Sequence, residues 1–137
     1  SHVAMTKDVV LVPRHLSNTL ISTNVTLIFS AAQAVLAAKA GSTDVSPVVG
    51  RIDDQSVAGL EVLRSISELY RIHGIRTQVL SASIRSIQRV VRSFYNGAQI
   101  VTMPPAIFDK MYEHILTDAG LEIFERDLRE AAVERQS

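Results

Sequence analysis

Polar side chains inside otherwise apolar, strand-length runs are where this sequence could do chemistry. Asn24 and Thr26 stand in the run Asn-Val-Thr-Leu-Ile-Phe-Ser, Ser46 in Val-Ser-Pro, and Ser81 and Ser83 in Val-Leu-Ser-Ala-Ser-Ile-Arg. Burying an amide or hydroxyl without a partner is costly, so such residues need a reason. Asn24 and Thr26 are two apart and share one face of a strand. In a closed parallel barrel that face is the interior, where these groups would bind substrate or orient water. The alternative is that each caps a helix or pairs with a neighbouring strand. Two arginines follow strands directly: Arg51 after Pro47-Val48-Val49-Gly50, and Arg85 after Ser83-Ile84. The guanidinium fork suits phosphate oxygens, and loops at strand ends of βα folds are where phosphate is held. Together they suggest a phosphorylated small molecule; singly, either is a surface charge.

Arg85, Arg89 and Arg92 also recur at helical spacing and could touch RNA, but Ile84, Ile87, Val91 and Phe94 form an opposite stripe expected to be buried. A solvated helix face then explains the cations without nucleic acid. His2, His15, His73 and His114 show no ligand spacing, and Asp53-Asp54 reads as a bare acidic pair in a loop, so no metal site is expected. With no Cys there is neither a thiolate nucleophile nor a disulfide framework, which suits the cytoplasm.

These residues need elements to hold them. Five short runs rich in Val, Ile and Thr are of strand length: Val9 to Val12, Asn24 to Phe29, Asp44 to Val49, Thr77 to Leu80 and Gln99 to Met103. Helical periodicity marks Ala31 to Ala40, Val57 to His73, Ile84 to Tyr95 and Pro105 to Ile115. The first three are followed by Gly41, Gly74 and Gly97, as helices ending in a left-handed residue require. In the second, Leu60, Leu63, Ile66 and Leu69/Tyr70 make one stripe for a sheet. Residues 50–56 read as a long loop after a strand. Asp118 to Arg135 reads as a solvated closing helix, with Glu122 and Arg126 spaced for an ion pair. Strand and helix alternate, which predicts an α/β fold of parallel, right-handed βα units.

The 137 residues balance 14 Lys and Arg against 14 Asp and Glu, which removes the basic signature of a dedicated nucleic-acid binder. At 47% hydrophobic and 20% charged the chain is globular rather than disordered. The most apolar stretch, Val25 to Ala38, is shorter than the roughly 20 residues of a spanning helix and is interrupted by Thr26, Ser30 and Gln33, so no membrane is expected. Residues 61–100 hold six Arg against two Glu, so an anionic ligand would prefer that region. Ser1 to Met5 reads as a cloning remnant ahead of a start Met and is set aside from the fold.

Several pieces, in order, resemble one known family: Asn24 to Ser30, Ala31 to Ala34, Ala37 to Gly41, Val45-Ser46-Pro47, Val49 to Asp54, Ser81 to Arg85 and Leu116 to Gly120. They look like the C-terminal half of a transaldolase, closest to the short transaldolases related to fructose-6-phosphate aldolases. Residues 24–137 would then be a half-barrel, and residues 1–23 an N-terminal remnant with a possible first strand. The resemblance implies parallel βα repeats forming about half of a TIM barrel. It implies a cytoplasmic enzyme of the pentose phosphate pathway that moves a dihydroxyacetone unit between sugar phosphates through a Lys Schiff base. No cofactor is implied. By motif, Asn24 and Thr26 would line the dihydroxyacetone site, with Thr26 helping to hold the catalytic water. Ser46 would bond substrate hydroxyls, and Arg51, Ser83 and Arg85 would bind the phosphate.

The sequence also departs from that family. A full (β/α)₈ barrel needs about 200 residues or more. The family's Lys nucleophile falls at Leu11 in Val10-Leu11-Val12-Pro13, and Leu cannot form an imine. Of the other lysines, Lys39 and Lys110 fall on helices, and nothing aims Lys7 inward. Val48 stands where the family has an aromatic. Two readings stay open: an enzyme whose missing half comes from a second copy, a separate complementing N-terminal half or a longer native polypeptide, and a sugar-phosphate-binding half-barrel or structural fragment without catalysis. An open parallel sheet exposes its edges and one face, so a homo-oligomer of half barrels or a complementing N-terminal half is expected to cover them.

Overall fold

The computed structural model describes residues 2–6, 21–55 and 58–134. In the unit ending at Pro104, five parallel strands lie in the order of the chain: β1 (His2–Ala4), β2 (Asn24–Ile28), β3 (Asp44–Pro47), β4 (Gln78–Ser81) and β5 (Ile100–Val101). Their connections include α1 (Ala31–Lys39), α2 (Val49–Asp54), α3 (Gly59–Ile72) and α4 (Ile87–Tyr95). A strand order that never reverses means every right-handed crossover advances in one direction, so the covering helices fall on one face of the sheet. That is the winding of a barrel wall, and the α/β class with a parallel sheet consistent with part of a TIM barrel holds.

Register fixes which residues face the helices. Val3, Val25 and Val45 are aligned across β1 to β3, and Val45 with Val79 on β4. Val25, Val45 and Val79 are buried against a layer that includes Ala34, Ala37, Leu63, Ile66 and Val90. Each fully buried Val, Leu or Ile contributes about 1.5–3 kcal/mol. The α3 stripe read from the sequence is the one that packs, with Leu63, Ile66 and Tyr70 buried. The Tyr70 hydroxyl donates to the Ala34 carbonyl of α1 at 2.6 Å.

Local signals start and stop the helices. Ser30 caps α1 by accepting from the Gln33 amide, while the Gln33 side chain reaches back to accept from the amide of Phe29, just before the cap. Gly97, after α4, has φ +95°, and a Cβ there would stand 2.6 Å from the Ser67 Cβ, so both conformation and space demand glycine.

The structure corrects several expectations. His2–Ala4, set aside as a remnant, forms β1, and the Met5 amide donates to the Thr26 carbonyl at 3.0 Å. Val49, expected to end a strand, and residues 50–54 of the expected loop form α2, because Val49 and Ile52 at helical spacing both bury. Helix α4 begins at Ile87, not Ile84, since Ser86 caps it by accepting from the Arg89 amide. Its buried residues are Val90 and Ser93, while Val91 and Phe94 are 58% and 50% exposed. The expected strand at Val9 to Val12 lies outside the described residues, as do Lys7, Leu11 and His15.

The second unit, from Pro105, contains α5 (Pro105–Lys110) and α6 (Ile115–Glu134). The helix expected through Ile115 stops at Lys110, and Phe108 meets Tyr112 edge to face with ring centroids 5.5 Å apart. On α6, Arg129 pairs with Glu125, whereas the expected Glu122 and Arg126 do not pair.

Candidate functional site

The face of the sheet opposite the covering helices begins with a polar row. His2, Asn24, Asp44 and Gln78 occupy one register row across β1 to β4. One step further along, Ala4, Thr26 and Ser46 are aligned. The Ser46 hydroxyl, nearly fully buried, donates to the Asn24 side-chain carbonyl at 2.7 Å. This fixes the amide of Asn24 with its two N–H donors left for another acceptor. Thr26 is half-buried beside Ser46. Directly after it the register shifts, and Leu27 adopts φ +60°, a conformation costly for a side chain of this type. The bulge lets Ile28 return to the core while Thr26 stays on the same face as Asn24. Burial raises the Asp44 carboxyl above its ordinary value.

A second group of residues surrounds a cleft of about 210 Å³ beyond the ends of β3 and β4. Its floor is a close approach of two backbones. A Cβ on Gly50 would come within 2.2 Å of the Ser83 carbonyl oxygen, so only glycine lets α2 sit against the β4–α4 loop. Ser83 is itself left-handed, with φ +63°. Arg85, Ser86 and Arg89 form one wall and Asp53 and Asp54 the other. Arg85 donates from both terminal nitrogens to the two Asp54 oxygens, at 3.0 and 2.9 Å. Arg89 pairs with Asp53 Oδ2, and Asp53 Oδ1 accepts from the Gly59 amide at 2.9 Å. The Arg85 hydrogen bond, with help from the charges of Arg85 and Arg51, holds the Asp54 carboxyl below its usual range. The same pair keeps Arg85 more firmly protonated.

The residues singled out from the sequence therefore fall in two places. Asn24, Thr26 and Ser46 share the face of β2 and β3 opposite α1 and α3. Ser83 and Arg85 line the cleft together, while Arg51 is exposed on α2 and is not part of the lining. Ser46 and Gly50 are four residues apart, at most about 14 Å of chain, which ties the two places to the same end of the sheet. Ser81 takes the alternative reading, since its hydroxyl bonds that of Ser93 at 2.9 Å on the helix side. Val48 is buried. Sequence reading missed Gly50, Ser86 and the acidic partners, because Asp53-Asp54 has no local feature that names Arg85 and Arg89. Lys39 and Lys110 end helices α1 and α5 and are exposed. Among the described residues no three His, Cys, Asp or Glu side chains are grouped to hold a metal, and no helix is long and apolar enough to cross a membrane.

The arrangement suits a small polyhydroxylated molecule ending in an anion. Amide and hydroxyl groups stand on the sheet face, and a hydroxyl, close-packed backbone and guanidinium stand in the cleft. The family described as transaldolase/fructose-6-phosphate aldolase matches residues 2–136. A probable transaldolase of Brachyspira hyodysenteriae is 47% identical over 125 residues, covering 91% of this chain and 58% of the relative. One from Caulobacter vibrioides is 43% identical with the same coverage. The chain thus spans 58% of the length of these curated relatives. Among solved structures, a flavocytochrome b2 variant with sulfite bound has a TM-score of 0.55 at 18% identity, covering 66% of this chain and 25% of that one. That likeness is one of fold alone.

Proposed function

Because the chain belongs to the transaldolase/fructose-6-phosphate aldolase family, we propose that it forms the sugar-phosphate-holding side of a transaldolase barrel. The phosphate rests in the cleft on Ser83 and Arg85 over the Gly50 backbone, with Arg51 adding positive charge at the rim. The dihydroxyacetone unit lies toward Asn24 and Ser46, and Thr26 holds the water that the reaction exchanges. In the completed barrel a Lys forms a Schiff base with the ketose phosphate and passes the dihydroxyacetone unit to an aldose phosphate.

The observation that carries this reading is the cleft itself. A left-handed serine, a glycine without room for a side chain and a guanidinium converge at the carboxyl ends of β3 and β4. This is where βα folds hold phosphate. On the face opposite α1 and α3 the described strands offer no Lys: the residues in its register are His2, Ala4, Asn24, Thr26, Asp44, Ser46, Gln78, Leu80 and Ile100. This favours, as a second reading, a chain that binds sugar phosphate without transferring it by itself. β1 and β5 bound the described sheet, so a second copy or a complementing half fits against them.

Titration with fructose 6-phosphate, followed by borohydride reduction and mass analysis, tests both. Binding that weakens at least about tenfold in Arg85→Ala supports the phosphate seat, given what a charged hydrogen bond contributes. Unchanged binding in that variant refutes it. A reduced adduct on a Lys of this chain supports transfer by the chain alone. Binding without an adduct supports the second reading.

A further inference from the structure

The cleft proposed above as a phosphate seat already contains an occupant. Two of the five N–H donors of Arg85 are taken, end-on, by the carboxylate of Asp54. A carboxylate held in this way is the nearest thing a protein has to a bound phosphate, with the same planar fork and the opposite charge to the guanidinium. Arg85 and Arg89 face Asp53 and Asp54 across the cleft, so these four charges sum to zero before any ligand arrives.

The two acidic residues are not equivalent. Asp53 uses both oxygens, one on Arg89 and one on the Gly59 amide at the start of α3, and its side chain is 25% exposed. It joins α2, α3 and α4 and serves the fold. Asp54 has no hydrogen-bond partner other than Arg85 among the described residues, and the pair is open to water, at 49% and 62% exposure. An ion pair this exposed contributes little to stability. Its effect is on what Arg85 can do.

We propose that Asp54 is a built-in competitor for the phosphate seat, a residue that sets ligand affinity by occupying Arg85 until a phosphate displaces it. The inference rests on the reading of the cleft given above. A dianion that takes the terminal nitrogens of Arg85 must push the carboxylate aside and then sit near its charge. The site consequently binds phosphate more weakly than its arginines alone would, which keeps a phosphorylated product from being retained.

The test is the affinity of the full chain for inorganic phosphate at low ionic strength and neutral pH, measured by calorimetry for wild type, Asp54→Asn, Arg85→Ala and the double variant. Asp54→Asn removes one negative charge a few ångströms from the seat and is expected to tighten binding about tenfold, an effect that salt erodes. Asp54→Ser gives the same result should the amide find a new partner. Tighter binding cannot come from structural damage, so it supports the competitor role. Equal or weaker binding in both Asp54 variants, with Arg85→Ala still impaired, overturns that role and leaves the phosphate seat standing. If Arg85→Ala binds phosphate as wild type does, the seat itself is wrong and the competitor falls with it.

Discussion

Gly50→Ala puts the sharpest demand on the site, because its effect follows from one distance. The new methyl would stand 2.2 Å from the Ser83 carbonyl oxygen, 2.8 Å from its hydroxyl and 3.2 Å from its Cβ. Ordinary contact requires roughly 1 Å more, and two of these three neighbours are backbone or directly attached to it. Either α2 or the Ser83 peptide must move. Ser83 already holds φ +63° and has little conformational room to yield. Overpacking of this kind costs about 1–3 kcal/mol, and the upper part of that range applies where backbone must shift. For a unit of this size that is a fall in melting temperature of roughly 10 °C. The same shift displaces a proposed phosphate donor, so phosphate affinity falls by about tenfold or more, the value of one charge-assisted hydrogen bond. Thermal melts and phosphate calorimetry on the same preparation read both effects. Gly74→Ala is the control: its φ is +60° but no atom lies within 4 Å of the added carbon, so it carries only the left-handed cost of about 1–2 kcal/mol and leaves phosphate binding intact. Gly50→Ala with the melting temperature and phosphate affinity of wild type would show that α2 and Ser83 are not in contact in solution.

Two further substitutions probe the scaffold. Tyr70→Phe removes the buried hydroxyl that donates to Ala34 and should cost about 1–2 kcal/mol in urea unfolding. Burial raises the Tyr70 pKa, so its contribution is complete below the ordinary value of 10.0 and is lost as pH rises through that value toward the folded one. Wild type should therefore lose stability faster than the variant above pH 10.0, and parallel curves would refute this. Asp44→Asn should stabilise the fold by about 0.5 kcal/mol at neutral pH. Burial raises the Asp44 carboxyl, so the folded chain holds its proton longer than the unfolded one, and wild-type stability falls as pH rises from 3.8 through the raised value. The gap between the two proteins should close below pH 3.8, and one that persists there would show a cause other than charge.

What could be read from the sequence was what depends on near neighbours. The strands at Asn24, Asp44 and Gln78 stand as short β-rich runs, and three helices end where glycine permits a left-handed residue. The polar positions Asn24, Thr26 and Ser46 could be selected because their parity is a property of a single strand. Helix α2 was hidden for a local reason too: it is six residues long, contains Gly50 and follows Pro47, so its composition is that of a loop. Only the burial of Val49 and Ile52, a tertiary fact, makes it helical. β1 has three residues and no periodicity to detect, and it exists because β2 offers it a parallel edge.

The ion pairs of the cleft were hidden for a different reason. Asp54 and Arg85 are 31 residues apart and Asp53 and Arg89 are 36 apart, each joined across a complete α3 and β4. Nothing in a run of six arginines against two glutamates says which of them are already neutralised. The sequence displays the guanidinium, while the fold decides how many of its donors are free. The same residue, Arg85, is a surface charge, a salt-bridge partner or a phosphate ligand according to what stands opposite it. The crossover that sets α2 beside the β4–α4 loop puts Asp54 there. Charge counts along the chain bound the ligand's sign, and the strength with which it is held is set by contacts between residues that the chain keeps far apart.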